Sequence, residues 1–172
     1  MKIVNIICSG NLNCSINIEK LQDLGSSRFI YNPKSYHGGY LIFSKGKVTI
    51  YKSGKYILIG LKSLDDVIPV YKEMITVLSK FFDVSNAQEP VVQNIVISYD
   101  FQKQINLNKF LLSVRSNNIE YEPEQFPGLI FRDKECSALL FRNGKCVFTK
   151  AKRLDQVEKT RQKIENILDS LG

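Results

Sequence analysis

A chain of 172 residues with 44% hydrophobic side chains has room for one ordinary domain or two small fused halves, and is too apolar to be a disordered segment. Its formal charge of +7 points towards a polyanionic partner without requiring one. A single histidine, His37, and four cysteines with no Cys-x-x-Cys spacing argue against a zinc site, and without a Gly-rich phosphate loop or a convincing carboxylate pair the sequence offers no catalytic constellation.

No enzyme activity, metal or cofactor is therefore expected. Lys2 is followed at once by an alternating run rather than a secretory leader, and no apolar stretch approaches the roughly 20 residues of a membrane span, so no membrane partner is expected either. Cys8, Cys14, Cys136 and Cys146 read as reduced, packed thiols.

In chain order, KIVNIIC places Val4, Ile6 and Cys8 on one side and Ile3, Asn5 and Ile7 on the other, the period of a half-buried strand. Three strand-like runs follow at about 38–43, 47–52 and 55–60, separated by the turn sequences SKGK and KSGK. Val67, Val70 or Tyr71, Met74, Leu78 and Phe81 then recur at helical spacing, with Pro69 expected to kink that helix or delay its start. SNAQEP, at 85–90, reads as a linker. Beyond it VQNIVI is a second strand, and Asn106 is a helix cap before Leu107, Phe110, Leu111 and Val114. Strand-like runs return at about 128–132, 136–142 and 145–149, and Val157, Ile164, Ile167, Leu168 and Leu171 mark a closing helix.

The second part of this series copies the first. KIVNII returns as VQNIVI, with Asn5 matched to Asn94. YNPKSY returns as YEPEQF, YKSGK as FRNGK, and IGLKS as TKAKR. Two copies imply two similar halves, 1–88 and 89–172, together one pseudo-twofold domain. The order strand, helix, strands, helix, taken twice, predicts an α+β fold: an antiparallel sheet with helices on one face only.

The other face is left open. Asn5, Ile7, Thr49, Tyr51, Ile57 and Ile59 fall there, matched by Asn94, Val96, Leu139, Phe141, Val147 and Thr149. So broad and weakly polar a surface marks an interface, or a second core that a dimer partner covers. Each copy also sets an aromatic before small residues, Tyr36 before His37-Gly38-Gly39 and Phe126 before Pro127-Gly128.

These residues resemble the core of the TATA-box-binding protein family over essentially the whole chain. The matching motifs are IVNI (3–6), NLNC (11–14), YNPK (31–34), SGK (53–55), QNIV (93–96), YEPEQFPGL (121–129), NGK (143–145) and TKAK (149–152). The resemblance implies a saddle with a curved antiparallel sheet, helices on its convex face, and a concave face on the minor groove of A·T-rich promoter DNA. It implies wedges at Tyr36, Tyr51, Phe126 and Phe141, inserted between base steps to bend the duplex. The implied groove floor is Asn5, Ile7, Thr49, Ile57, Ile59, Asn94, Val96, Leu139, Val147 and Thr149, with phosphate contacts from Ser53, Lys55, Arg132 and Lys145. Glu122, Glu124 and Gln125 match the loop that docks the B-type initiation factor.

The function so implied is that of a general transcription initiation factor, which nucleates an assembly with that factor and RNA polymerase and forms a homodimer through the concave face when DNA-free. Its compartment would be the nucleus in a eukaryote, towards which Cys14 and YNPK lean, or the nucleoid and cytoplasm in an archaeon or virus.

The sequence departs from the pattern mainly in its first half. Tyrosines stand at 36 and 51 where the family has phenylalanine, Ile59 replaces a threonine, Thr49 a leucine, and Ile42 an arginine. Lys150 replaces a small residue in the second half. The alternative these departures support is a TATA-binding paralog or adaptor with weakened bending, its concave face serving protein–protein contacts.

Overall fold

The computed structural model describes residues 1–115 and 117–172. Its described residues form two compact units, Asn5–Gln93 and Asn94–Gly172, the latter including Met1–Val4. The first-half unit is built on β1 (Lys2–Asn11), β2 (Phe29–Ile30), β3 (Gly39–Phe43), β4 (Gly46–Ile50) and β5 (Lys55–Leu61), followed by α1 (Val67–Leu78). The second-half unit has β6 (Val91–Asp100), α2 (Leu107–Ser113), β7 (Ile119–Glu120), β8 (Leu129–Arg132), β9 (Ser137–Leu140), β10 (Lys145–Ala151) and α3 (Leu154–Ser170). The strands lie in the order β2-β3-β4-β5-β1 in one and β6-β10-β9-β8-β7 in the other. Every registered pairing within a unit is antiparallel.

Alternation decides which face each side chain takes. Ile6 and Cys8 of β1, Val48 and Ile50 of β4, and Tyr56, Leu58 and Leu61 of β5 are buried, while Asn5, Ile7, Ile57 and Ile59 between them are half-exposed. α1 completes this core with Val67, Val70, Met74, Val77 and Leu78, an i, i+3, i+4 stripe. Met74 is fully enclosed, so trimming it to alanine costs about 2–5 kcal/mol. In the second unit Ile95, Ile97, Phe131, Leu140, Cys146 and Phe148 meet Phe110 of α2 and Val157, Ile164 and Leu168 of α3. All four cysteines are free thiols.

Pro69 neither kinks α1 nor defers it beyond the proline. It is the third residue of the helix, where its missing N–H has no intrahelical partner to lose, and a 3-10 turn at Leu64–Asp66 leads in. Asn106 caps α2 as expected, its Oδ1 accepting from the Lys109 N–H at 3.0 Å. The copy is less regular in the first half: Ile18–Leu24 is a 3-10 helix, and Asn17 before it makes no side-chain cap.

β4 and β9 end sooner than the sequence suggests, while β5 and β10 run on to Leu61 and Ala151. Residues 51–52 and 141–142 leave their strands for tight turns, and the two-residue strands β2 and β7 have too little periodicity to read from sequence. The 85–90 stretch is tied down within the first-half unit. Gln88 N–H donates to the Asn11 carbonyl at 2.8 Å, and the Tyr56 hydroxyl donates to the Gln88 carbonyl at 2.7 Å.

Candidate nucleic-acid interface

Each unit leaves one sheet face without a helix. In the first unit this face carries Asn5, Ile7 and Ser9 of β1, Ile57 and Ile59 of β5, and Tyr40 of β3, all half-exposed. In the second it carries Asn94, Val96 and Ser98 of β6, Val147 and Thr149 of β10, Leu139 of β9 and Ile130 of β8, also half-exposed. Thr49 takes the same side but is only 6% exposed. Ser9 and Ser98 were not singled out from the sequence, although their even spacing from Asn5 and Asn94 places them on this face.

The aromatics pair within each half. A tight turn ends with Tyr36 N–H on the Asn32 carbonyl at 3.0 Å, and its copy with Phe126 N–H on the Glu122 carbonyl at 2.9 Å. A second turn closes with Tyr51 N–H on the Lys55 carbonyl at 3.0 Å, and its copy with Phe141 N–H on the Lys145 carbonyl at 2.9 Å. These turns bring Tyr36 and Tyr51 to 6.1 Å between ring centroids and Phe126 and Phe141 to 5.9 Å, edge to face in both units. Tyr36 is 36% and Phe126 38% exposed, large apolar rings left at the surface.

The glycine beside each pair has a direct packing reason. A Cβ on Gly38 would lie 2.9 Å from Tyr36 Cε1 and 2.8 Å from Thr49 Cγ2, and one on Gly128 would lie 2.7 Å from Phe126 Cε1.

The tyrosine hydroxyls do not go unpartnered. They bond each other at 2.6 Å. Partial burial first, then this bond and the neighbouring Tyr36 and Tyr40 phenols, push the Tyr51 hydroxyl up to about 12. His37 packs against both rings, at 4.6 Å from Tyr36 and 5.2 Å from Tyr51, and the Lys47 ammonium lies 4.5 Å from the centre of the Tyr40 ring. The second-half pair has no counterpart to these polar groups: Pro127 and Ile130 stand where His37 and Tyr40 do.

The two asparagines are held by strand bulges. Between β1 and β5, Ile6 pairs with Leu61 and Cys8 with Leu58, so β5 carries one extra residue there. Gly60 takes that position at φ +87°, and its N–H donates to Asn5 Oδ1 at 2.8 Å. Between β6 and β10, Ile97 pairs with Phe148 and Ile95 with Ala151, the same irregularity. Lys150 sits in it at φ +64°, and its N–H donates to Asn94 Oδ1 at 2.7 Å. A non-glycine residue in the left-handed region costs roughly 1–2 kcal/mol. These bonds settle the amide orientation, since the oxygen must be the acceptor, which leaves Nδ2 with its two donors. Gly60 is visible in the sequence as a glycine inside a strand pattern, while Lys150 shows only through its alignment with Gly60.

The candidate phosphate contacts are spread out. Lys55 and Lys145 open β5 and β10, are exposed, and form no ion pair among the described residues. Ser53 is engaged locally, accepting from the Lys55 N–H at 3.4 Å. Arg132 lies at the other end of its sheet, paired in register with Ser137, and its guanidinium is 2.9 Å from Glu120. Glu122, Glu124 and Gln125 are exposed on the turn before Phe126.

A tandem duplication of one α+β unit, whose candidate surface is an open sheet face rather than a cleft, is the class of protein that this fold and these sites define. The family model described as transcription factor TFIID, or TATA-binding protein, matches residues 1–81 and 89–171, and the chain belongs to this family. It is 36% identical over 183 aligned positions to TATA-box-binding protein E of Halobacterium salinarum, covering 100% of this chain and 95% of that protein. It is 35% identical over 177 positions to the TATA-box-binding protein of Thermococcus sibiricus, covering 100% and 94%. Its fold matches the solved structure of Methanococcus jannaschii TBP with a TM-score of 0.79 at 28% identity, over 98% of both chains.

Proposed function

We propose that this protein is a transcription initiation factor that binds the minor groove of A·T-rich promoter DNA through its two open faces, bends the duplex, and recruits a B-type factor and RNA polymerase. The observation that carries the proposal is the fixed orientation of Asn5 and Asn94. With Oδ1 engaged by the Gly60 and Lys150 N–H groups, each amide turns its Nδ2 donors to a ligand. The minor groove of A·T pairs offers only acceptors, adenine N3 and thymine O2, while a G·C pair adds a donor amino group. Over most of the floor, Ile7, Ile57, Ile59, Val96, Leu139 and Val147 offer that amino group no acceptor, so it meets one only where a hydroxyl such as that of Thr149 stands. An A·T tract is the sequence such a surface tolerates, and it acts by binding alone.

In this reading the exposed ring pairs insert between base steps, an energetic design for which this family is itself the standard example. Lys55, Lys145, Arg132 and Ser53 hold the backbone and fix register. Glu122, Glu124 and Gln125 are exposed on the turn before Phe126, and the two carboxylates suit a basic protein partner better than phosphate. The archaeal sources of the relatives favour a nucleoid location over a nucleus.

A second reading, an adaptor with weak bending, draws on one observation: the first-half rings carry hydroxyls bonded to each other, a polar junction that an inserting wedge would have to desolvate. End-to-end energy transfer on a doubly labelled A·T-rich duplex separates the two. Bending by the wild type that falls with Phe126→Ala or Phe141→Ala, and falls less with Tyr36→Ala, supports the factor. Binding without a change in end-to-end distance supports the adaptor.

A further inference from the structure

Lys150 is the one residue on these faces whose presence the fold works against. Its backbone site demands a left-handed φ, which Gly60 supplies freely in the first unit. Open space surrounds that position in the first half, since a Cβ on Gly60 would meet only the Gly46 Cα, at 3.7 Å. A side chain is therefore admissible at such a bulge but conformationally disfavoured, and disfavoured backbone concentrates where function requires it.

The register indicates which side the lysine occupies. Phe148 and Ala151, on either side of the bulge, are both fully buried against the helices. Thr149 and Lys150 fall together opposite Val96, a residue of the open face. The lysine is exposed, its own N–H is bonded to the Asn94 side chain, and it forms no ion pair among the described residues. Arg153 and Lys163 of the same unit are by contrast paired, with Asp155 and Asp133.

Resting on the minor-groove reading, we infer that Lys150 is a specificity-determining residue, an ammonium directed from the second-half face into the groove rather than onto the phosphates at its edge. Its ligand chemistry is the acceptor-lined, electronegative floor of an A·T run. A narrow minor groove concentrates negative potential and draws in cationic side chains. Three N–H donors beside the two of Asn94 extend the donor surface by one base step. The first half, with Gly60 at the matched position, lacks this contact. The two halves then differ in their demand for A·T pairs, and a near-symmetric protein gains a preferred orientation on an asymmetric site.

The test uses the full chain with Lys150→Met, which keeps length without charge, and Lys150→Arg. Two duplexes serve as probes, one A·T-rich throughout and one with G·C pairs under both halves of the site. Affinity is measured over a series of KCl concentrations. On the A·T-rich duplex, Lys150→Met should lose about fivefold to tenfold in affinity. It should also flatten the slope of log affinity against log salt by up to about 0.9. On the G·C-containing duplex the loss should stay below about twofold, and Lys150→Arg should keep most of the wild-type slope.

Equal losses on both duplexes would identify an ordinary phosphate contact and overturn the inference. So would wild-type affinity in Lys150→Met, or tighter binding, which would mean that the lysine obstructs the groove. If the wild type itself shows no preference between the duplexes, the minor-groove reading and this inference fall together. If the wild type prefers A·T and Lys150→Met behaves identically, only the inference falls.

Discussion

Replacing Asn94 separates reading from folding. Its Oδ1 holds the Lys150 N–H at 2.7 Å, and its Nδ2 is the group that the proposed function offers to DNA. In Asn94→Asp an oxygen still accepts from the bulge, so the fold keeps its bond, but the other donor becomes an acceptor carrying negative charge. Facing adenine N3 and thymine O2, that group loses a contact worth about 1–3 kcal/mol of discrimination, roughly fivefold to 150-fold in affinity, before any repulsion from the phosphates. Thermal stability should change little. Asn94→Ala differs, because it leaves the Lys150 N–H without its partner. The site is half-exposed, so water offsets part of the loss and the cost lies near the lower end of the usual 1–3 kcal/mol. In a chain of this size about 1 kcal/mol lowers Tm by about 2–4 °C.

Thermal melts and fluorescence anisotropy on an A·T-rich duplex measure both quantities in the same samples. The expected pattern is lost binding in both variants and lost stability in alanine alone. Wild-type binding by Asn94→Asp would refute the assignment of the amide as a reader, and an equal Tm loss in both variants would refute the account of the bulge.

Glu120→Gln should release Arg132 from its 2.9 Å ion pair, and because both side chains are about half exposed the pair is worth at most about 1 kcal/mol. DNA affinity should rise by up to about fivefold with a steeper salt dependence, whereas weaker binding would show that Glu120 positions the arginine rather than competing for it. Asp133 supplies a pH test. Burial opposes its ionisation, but bonds from Lys163 at 2.8 Å, Thr160 at 2.9 Å and the Lys134 backbone outweigh it and hold the carboxyl below its ordinary value. A lowered folded-state pKa means stability fully present above the unfolded value of about 3.9 and lost as pH falls through the folded one. Asp133→Asn should therefore be less stable than wild type at neutral pH, with the gap narrowing in acid denaturation below about pH 4, and a gap independent of pH would rule out the carboxylate as its source.

Much of this molecule is legible in its sequence because its signals are local and occur twice. Alternation in KIVNIIC and VQNIVI sorts core from open face, and the matched positions of Asn5 and Asn94, or of Tyr36 and Phe126, give each residue a second sighting. What escaped depends on contacts between strands. The bulges at Gly60 and Lys150 are a difference of one residue between two strands, invisible in either alone, and they decide which atom of each asparagine faces a ligand. The 2.6 Å bond between Tyr36 and Tyr51 joins residues on separate turns, so the sequence predicts two hydroxyls that each need a partner when they are each other's. Glu120 lies on a two-residue strand and meets Arg132 only across the sheet edge. Thr49 alternates correctly onto the open side, yet it is buried there. The tight glycines Gly38 and Gly128 reflect ring packing as well as any approach to DNA.

The central claim is that two largely apolar faces with outward amide donors read A·T pairs from the minor groove. The most direct measurement is equilibrium affinity for three duplexes of one length: an A·T-rich site, the same site with its central A·T pairs replaced by inosine·cytosine, and the same site with G·C there. Inosine·cytosine keeps the minor-groove pattern of A·T while changing the major groove, and G·C restores the protruding amino group. The account predicts near-equal binding to the first two and a loss of tenfold or more, about 1.4 kcal/mol, on the third. Equal affinity for all three, or a loss on inosine·cytosine as large as that on G·C, would contradict it.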